Sequence, residues 1–262
     1  MGKNKTAKFA ELKELPNVYE YSFAALKSGE TFPCKGEWRS AVFHNDHTIV
    51  LELGCGKGEY TLGLAERFPE KNFIGIDIKG NRLWNGAKAA CRKGLENAFF
   101  LRTEIELLEL FFDPGEADEI WITFPDPQMK KFKKRLTSAG FLKLYRRVVR
   151  EGGILHLKTD SPFLYAYTKA LAETNGLTVA RDETDLHGNA AAPALLREIR
   201  TYYENQWIAR GLTIKYLALV LDEKADTAVE PDIDIEHDSY RSFGRNYSPC
   251  SPLPEKPNTI IK

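Results

Sequence analysis

The chain has 262 residues, 43% of them apolar and 28% charged, and its 37 basic and 37 acidic side chains cancel to zero net charge. That length supports one large α/β domain or two small ones, and no apolar stretch approaches the roughly 18 residues of a membrane-spanning helix, so no membrane association is expected. Cys34, Cys55, Cys91 and Cys250 are scattered without a C-x-x-C pair and the five histidines lack ligand spacing, so neither a disulfide framework nor a metal site is expected.

The basic start M-G-K-N-K-T-A-K is not followed by the apolar core of a signal peptide, which predicts a cytoplasmic chain. Residues 1–45 are turn-prone and read as an arm or cover segment ahead of a main domain at 46–221. That domain opens on T-I-V-L-E-L-G-C-G-K-G-E-Y, residues 48–60. The β-branched apolar run predicts a buried strand, and Gly54, Gly56 and Gly58 predict a tight turn into a helix at Glu59. Strand, glycine loop and helix form the first half of a nucleotide-binding βαβ unit, although a glycine turn of this kind can also occur without a ligand.

Further along, helices are predicted at 59–68, ended by Pro69, and at 81–93, stopped by Gly94. Strands are predicted at 72–78, 98–101 and 119–124, with a short helix at 105–112. A helix over 136–150 closed by Gly152-Gly153 follows, then a strand at 154–158 and a helix at 163–174 introduced by Ser161-Pro162. A strand at 177–183, a helix at 198–209 and a strand at 212–221 complete the pattern. Strands alternating with helices imply an α/β fold with a mostly parallel, seven-stranded sheet covered on both faces. Residues 222–262 begin acidic and turn rich in Ser and Pro, which predicts a surface wrap or disorder.

The neutral total hides two opposed patches. Nine Lys or Arg and no acid lie between Gln128 and Arg150, whereas Asp222 to Asp238 holds eight acids and one Lys. Such a basic run is either a solvated helix face or a surface for a polyanion.

The glycine loop narrows the ligand. A dinucleotide site wants G-x-G-x-x-G, but the third glycine here comes one residue early, and Glu52 stands two residues before the first. A carboxylate beside the turn is awkward for pyrophosphate and suits a cation. The acidic-x-G-x-G-x-G pattern resembles motif I of the S-adenosylmethionine-dependent methyltransferases. Asp77, at the end of the second strand, stands where an acid accepts ribose hydroxyls, and Glu104 follows the third strand. Phe124-Pro125-Asp126-Pro127 ends the fourth strand with two prolines fixing the backbone around one acid, and Lys158-Thr159-Asp160 ends the fifth.

F-P-D-P followed by Lys130-Lys131, then L-K-T-D at 157–160 and T-Y-Y-E at 201–204, resembles the bacterial tRNA (guanine-N7-)-methyltransferase family over roughly residues 45–221. The resemblance implies a Rossmann-like enzyme that moves a methyl group from S-adenosylmethionine to N7 of a guanine in the tRNA variable loop, with no metal, acting as a monomer or a homodimer. By motif position it implies that Glu52, Gly54, Gly56, Gly58, Asp77, Glu104 and Asp126 hold S-adenosylmethionine, with Asp126 at the catalytic centre. It likewise implies that Lys130, Asp160, Thr201, Tyr202, Tyr203 and Glu204 contact the tRNA. Two departures stand out: Gln128 and Met129 replace the aromatic residue that commonly follows F-P-D-P, and Asp77 and Glu104 exchange one acid for another. Small-molecule methylation, or tRNA binding with a relict pocket, are the alternatives; the lysines argue against the first and the intact acids against the second.

Overall fold

A computed structural model describes residues 3–240. Its centre is an eight-stranded sheet in the order β1-β4-β3-β2-β5-β6-β8-β7. The strands are β1 (Val18–Glu20), β2 (Thr48–Leu53), β3 (Lys71–Ile76), β4 (Ala98–Arg102), β5 (Ala117–Thr123), β6 (Val149–Thr159), β7 (Val179–Glu183) and β8 (Lys215–Leu221). All neighbours pair in parallel except those of β8, which runs antiparallel to both β6 and β7. The chain leaves β2 toward β3 and β4 on one side and returns to β5 and β6 on the other. Ligands of open α/β sheets bind at such a reversal, beyond the carboxyl ends of the strands.

Helices α1 (Lys3–Leu12), α2 (Phe23–Lys27), α3 (Glu59–Arg67), α4 (Gly80–Lys93), α5 (Ala139–Val148), α6 (Pro162–Thr174), α7 (Ala194–Glu198) and α8 (Tyr202–Ala209) accompany the sheet. Local chemistry sets their ends. Ser161 caps α6 by accepting the Leu164 N–H at 2.9 Å with Pro162 in the first turn, and Gly94 closes α4 in the left-handed region. Ile49, Leu51, Leu53, Ile120 and Ile122 pack into one buried cluster, while Val50, Tyr60, Phe100 and Trp121 belong to the other. The alternation shows why β2 reads as a continuous apolar run.

The seven expected strands are all present, and the arm adds an eighth. β1 has three residues, too few to show a period, and is held at the sheet edge by the Glu20–Arg102 ion pair and by Asn17, whose side chain donates to the Ala87 and Ala98 carbonyls. The arm also buries Trp38 completely, with its indole N–H donating to the Phe111 carbonyl at 2.8 Å. Two predicted boundaries move. Helix α5 stops at Val148, and Gly152-Gly153 lies inside β6, where Gly152 takes a φ of +70° beside a register shift against β5. The expected 198–209 helix starts only at Tyr202, where Thr201 caps it by accepting the Glu204 N–H at 3.1 Å, and the short α7 precedes it. The acidic segment is an ordered wrap as far as Tyr240, and the Ser/Pro-rich stretch beyond it lies outside the described residues.

Candidate active site

The three loop glycines all have positive φ, but they do different things. Gly54, at +75°, sits on the cleft with nothing nearer to a would-be Cβ than Leu136 at 3.9 Å, so only its backbone conformation demands glycine. Gly58, at +70°, starts α3, and a Cβ there would lie 2.7 Å from the Phe100 ring. The third glycine therefore serves packing of α3 and α4 on the sheet. Asp77 braces the loop from the neighbouring strand: Oδ2 accepts the Gly56 N–H at 2.9 Å and Oδ1 accepts the Lys79 N–H at 2.7 Å.

Glu52 does not point into the cleft. It is 3% exposed, with one oxygen accepting the Thr61 hydroxyl and N–H and the other accepting the Thr123 hydroxyl at 2.8 Å. Strand alternation turns it under the glycine loop, where it ties β2 to α3 and β5. Burial, aided by the charge of Asp77, raises its pKa from 4.5 to about 7 against the pull of those three hydrogen bonds. A pKa raised on folding contributes stability that is complete below 4.5 and is lost as pH climbs through about 7. Glu52→Gln keeps the acceptor and cannot ionise. It is expected to gain on the order of 2 kcal/mol relative to the parent between about pH 5 and about pH 8.5. Melting curves of both proteins at the two pH values test this, and a constant difference in Tm would contradict it.

Across the cleft, the loop after β5 is held in an uncommon shape. Phe124 and Gln128 flank Pro125-Asp126-Pro127 with φ of +50° and +48°, a region that side chains other than glycine seldom occupy. Four hydrogen bonds hold it there. The Phe124 N–H donates to the Lys158 carbonyl at 2.8 Å, the Gln128 N–H to Asp126 Oδ1 at 3.1 Å, and the Arg135 guanidinium to the Gln128 and Met129 carbonyls at 3.2 and 2.8 Å. Arg135 is buried against the Phe163 and Tyr167 rings. It is thus removed from the solvent-facing part of the basic run to which it belongs in sequence. Asp126 itself is exposed.

Between these loops lies a cleft of about 380 Å³ at the carboxyl ends of β2, β3, β4 and β5. Gly54, Asp77, Glu104 and Asp126 line it, with Ile78, Ile105 and Leu136 supplying apolar surface. Lys79, Arg82 and Lys134 also reach it, as does Glu106, an acid within the expected 105–112 helix that forms a 2.9 Å ion pair with Lys134. Gly56, Gly58 and Glu52 support the wall without lining it. The volume and mixed lining suit a nucleoside-sized ligand carrying positive charge.

The expected tRNA contacts divide by burial. Lys130 is exposed, as are Lys131 and Lys133, and among the described residues none of the three forms an ion pair. The neighbouring Arg146, Arg147 and Arg150 are engaged with Glu151, Glu109 and Asp118. Tyr202 and Tyr203 are 50% and 43% exposed, with the Lys57 ammonium 4.8 Å from the Tyr202 ring. Thr201 and Glu204 turn inward. Glu204 is fully buried, and its Oε1 meets Lys158 Nζ and His187 Nε2, both at 2.8 Å. It is held out of reach of RNA because Lys158 ends β6 directly beneath α8 and also donates to the Leu196 and Ile199 carbonyls at 2.6 and 3.0 Å. The T-x-x-E spacing is itself a helix-start signature, which was the sequence signal for this role. Asp160 is buried as well, with the Tyr240 hydroxyl donating to its Oδ2 at 2.6 Å.

Comparison with known proteins gives the chain's family. Residues 46–217 match the family described as "Putative methyltransferase". The chain is 59% identical over 236 residues to the tRNA (guanine-N(7)-)-methyltransferase of Porphyromonas gingivalis, an alignment covering 90% of this chain and 97% of that one. The chain belongs to the tRNA (guanine-N(7)-)-methyltransferase family. The Bacteroides fragilis member is 51% identical over 94% of this chain and 96% of its own. A Listeria monocytogenes member is 33% identical over 80% and 94%. Among solved structures, an antibiotic-related methyltransferase aligns with a TM-score of 0.54 at 16% identity, covering 73% of this chain and 96% of its own. The 16S rRNA methyltransferase KamB aligns at 0.53 and 16%, covering 78% and 95%. Both likenesses concern the fold: the sheet is that of a Rossmann-like methyltransferase.

Proposed function

We propose that this chain methylates N7 of a guanine in the variable loop of tRNA, with S-adenosylmethionine as methyl donor, in the bacterial cytoplasm. The acid-lined cleft at the sheet reversal, in a chain more than half identical to a tRNA (guanine-N(7)-)-methyltransferase, carries this reading. When bound, the donor supplies a methyl group on a positively charged sulfur. Asp77 would accept from its ribose hydroxyls, Glu104 would lie along the base, and Gly54 would let the backbone close on it. Asp126 would sit at the reacting centre.

The chemistry asks little of acids and bases. Guanine N7 has an in-plane lone pair and no proton, so no general base is needed. As the N7–carbon bond forms, the carbon–sulfur pair stays on sulfur and positive charge passes to the purine. The protein must hold N7 in line at near-attack distance, and the exposed carboxylate of Asp126 would stabilise the purine cation, a role that burial closes to Asp160. Lys130, Lys131 and Lys133 would take backbone phosphates and make tRNA affinity fall steeply with salt, while the unpaired loop keeps the base readable. Tyr202 and Tyr203 would add exposed aromatic surface for an unpaired base.

Met129 and Phe132 are the apolar residues nearest in sequence to the missing aromatic, and Phe132 is 44% exposed. If Phe132 stacks on the guanine, Phe132→Ala should lower kcat/KM for tRNA about tenfold or more, with donor affinity kept. Unchanged kcat/KM removes that role. The function itself is tested by labelled methyl transfer to tRNA lacking the modification, followed by nucleoside analysis. N7-methylguanosine as the labelled product is expected; no transfer to tRNA contradicts the assignment.

A further inference from the structure

A second basic surface lies outside the cleft, where α7 packs on α3. Arg67 at the end of α3, with Arg197 and Arg200 of the α7 segment, lines a hollow of about 620 Å³ that Ala194 and Glu198 complete. The hollow shares no lining residue with the cleft. Three arginines thus surround it with one acid, and Glu198 pairs only with Arg67, at 3.5 Å. Among the described residues neither Arg197 nor Arg200 forms an ion pair. The Arg197 Nε is buried without a hydrogen-bond partner, and Arg200 donates from its Nε to the Arg197 carbonyl at 2.8 Å. Like charges gathered in one hollow repel, and a bound anion offsets that cost. The planar fork of arginine matches phosphate oxygens in particular.

The hollow is fixed relative to the residues that face RNA in the reading above. Lys158 donates to the Leu196 and Ile199 carbonyls on either side of Arg197 and Glu198, which ties the α7 segment to the end of β6. Ile199 packs so closely on Gly63 of α3 that a Cβ there would lie 2.7 Å from it. Arg200 leads directly into Thr201, the cap of α8, and so to the exposed rings of Tyr202 and Tyr203. The Tyr202 N–H in turn donates to Glu59 at 3.1 Å, with the Lys57 ammonium against its ring. Arginines, Lys57 and two exposed tyrosines therefore make one anchored strip. Cations interleaved with exposed rings are the surface that follows a nucleic-acid strand.

We propose that the hollow between Arg67, Arg197 and Arg200 holds a backbone phosphate of the tRNA. This rests on the reading above, in which tRNA is the substrate. Because the hollow is separate from the cleft, the contact sets how tightly the tRNA is held and leaves donor binding and methyl transfer alone.

Two variants test this by different routes. Arg197→Gln with Arg200→Gln removes two charges. Ala194→Glu keeps all three arginines and sets a carboxylate one helical turn from Arg197, where it competes for them. Ala194 is exposed, so Ala194→Glu carries the test even if the double variant melts lower. For each, Kd for an unmodified tRNA transcript at roughly 0.1 M salt is expected to rise about tenfold, and the slope of log affinity against log salt to flatten by about one. With saturating tRNA, kcat is expected to stay parental, as is S-adenosylmethionine affinity. Parental tRNA affinity and slope in Ala194→Glu would overturn the proposal, as would weaker binding with an unchanged slope. A change confined to uptake of inorganic phosphate, with tRNA binding intact, would make this a small-anion site and overturn it too. A parent chain that transfers no methyl to tRNA overturns the underlying reading instead, before any variant is made.

Discussion

Replacing Asp126 by Asn is expected to lower kcat about a hundredfold or more while leaving the fold intact. The side chain is exposed and its recorded hydrogen bond is to the Gln128 N–H, an acceptor role that the Asn carbonyl keeps. Stability should therefore change by no more than about 0.5 kcal/mol. What disappears is the negative charge that the proposed mechanism sets beside the purine as it becomes cationic. The loop has been brought to an unfavourable backbone geometry at Phe124 and Gln128, and buried Arg135 holds its carbonyls there. Strain concentrated around one acid at the sheet's carboxyl edge is what a preorganised electrostatic stabiliser requires. Steady-state kinetics with saturating tRNA, beside a melting curve, check both halves. A parental kcat in Asp126→Asn would remove the residue from the reacting centre.

The second large effect concerns folding. Lys158 and Glu204 are both fully buried and lie 2.8 Å apart, with Glu204 also meeting His187. Burial pushes the Lys158 pKa down, and the neighbouring Glu204 charge works against that. Removing one partner strands the other without solvent. Lys158→Met is therefore expected to cost about 3 to 5 kcal/mol, seen as a Tm lower by roughly 10 °C. It also frees the Leu196 and Ile199 carbonyls, so the α7–α8 turn that presents Tyr202 and Tyr203 should loosen. The double change Lys158→Met with Glu204→Leu removes both charges and should recover much of the loss. Denaturant titrations of the three proteins check this; a single variant as stable as the parent would show that the pair is not the clamp described.

Much of the site's frame was legible in the chain. The apolar run into Gly54, the acid at 77 and the Pro-flanked Asp126 each lie at the carboxyl end of a strand, and the strand pattern alone brings those ends together. Burial was not legible. Lys158, Arg135 and Glu204 look like their solvated neighbours, because their partners come from distant parts of the chain. Glu52 was placed on the right strand, but its carboxylate is drawn inward by Thr61 and Thr123, hydroxyls with no sequence signature of their own. The α5 boundary failed for a related reason: Val148-Val149-Arg150 suits either helix or strand, and pairing with β5 decides. Composition left the acidic segment open between a surface wrap and disorder, and contacts of Glu230 and Asp238 with distant helix starts decide for the wrap as far as Tyr240.

Calorimetric titration of the cleft tests the account most directly. The account predicts one S-adenosylmethionine site per chain, weakened in Asp77→Ala, and no heat with a nicotinamide dinucleotide. Silence with S-adenosylmethionine together with saturable uptake of the dinucleotide would contradict it.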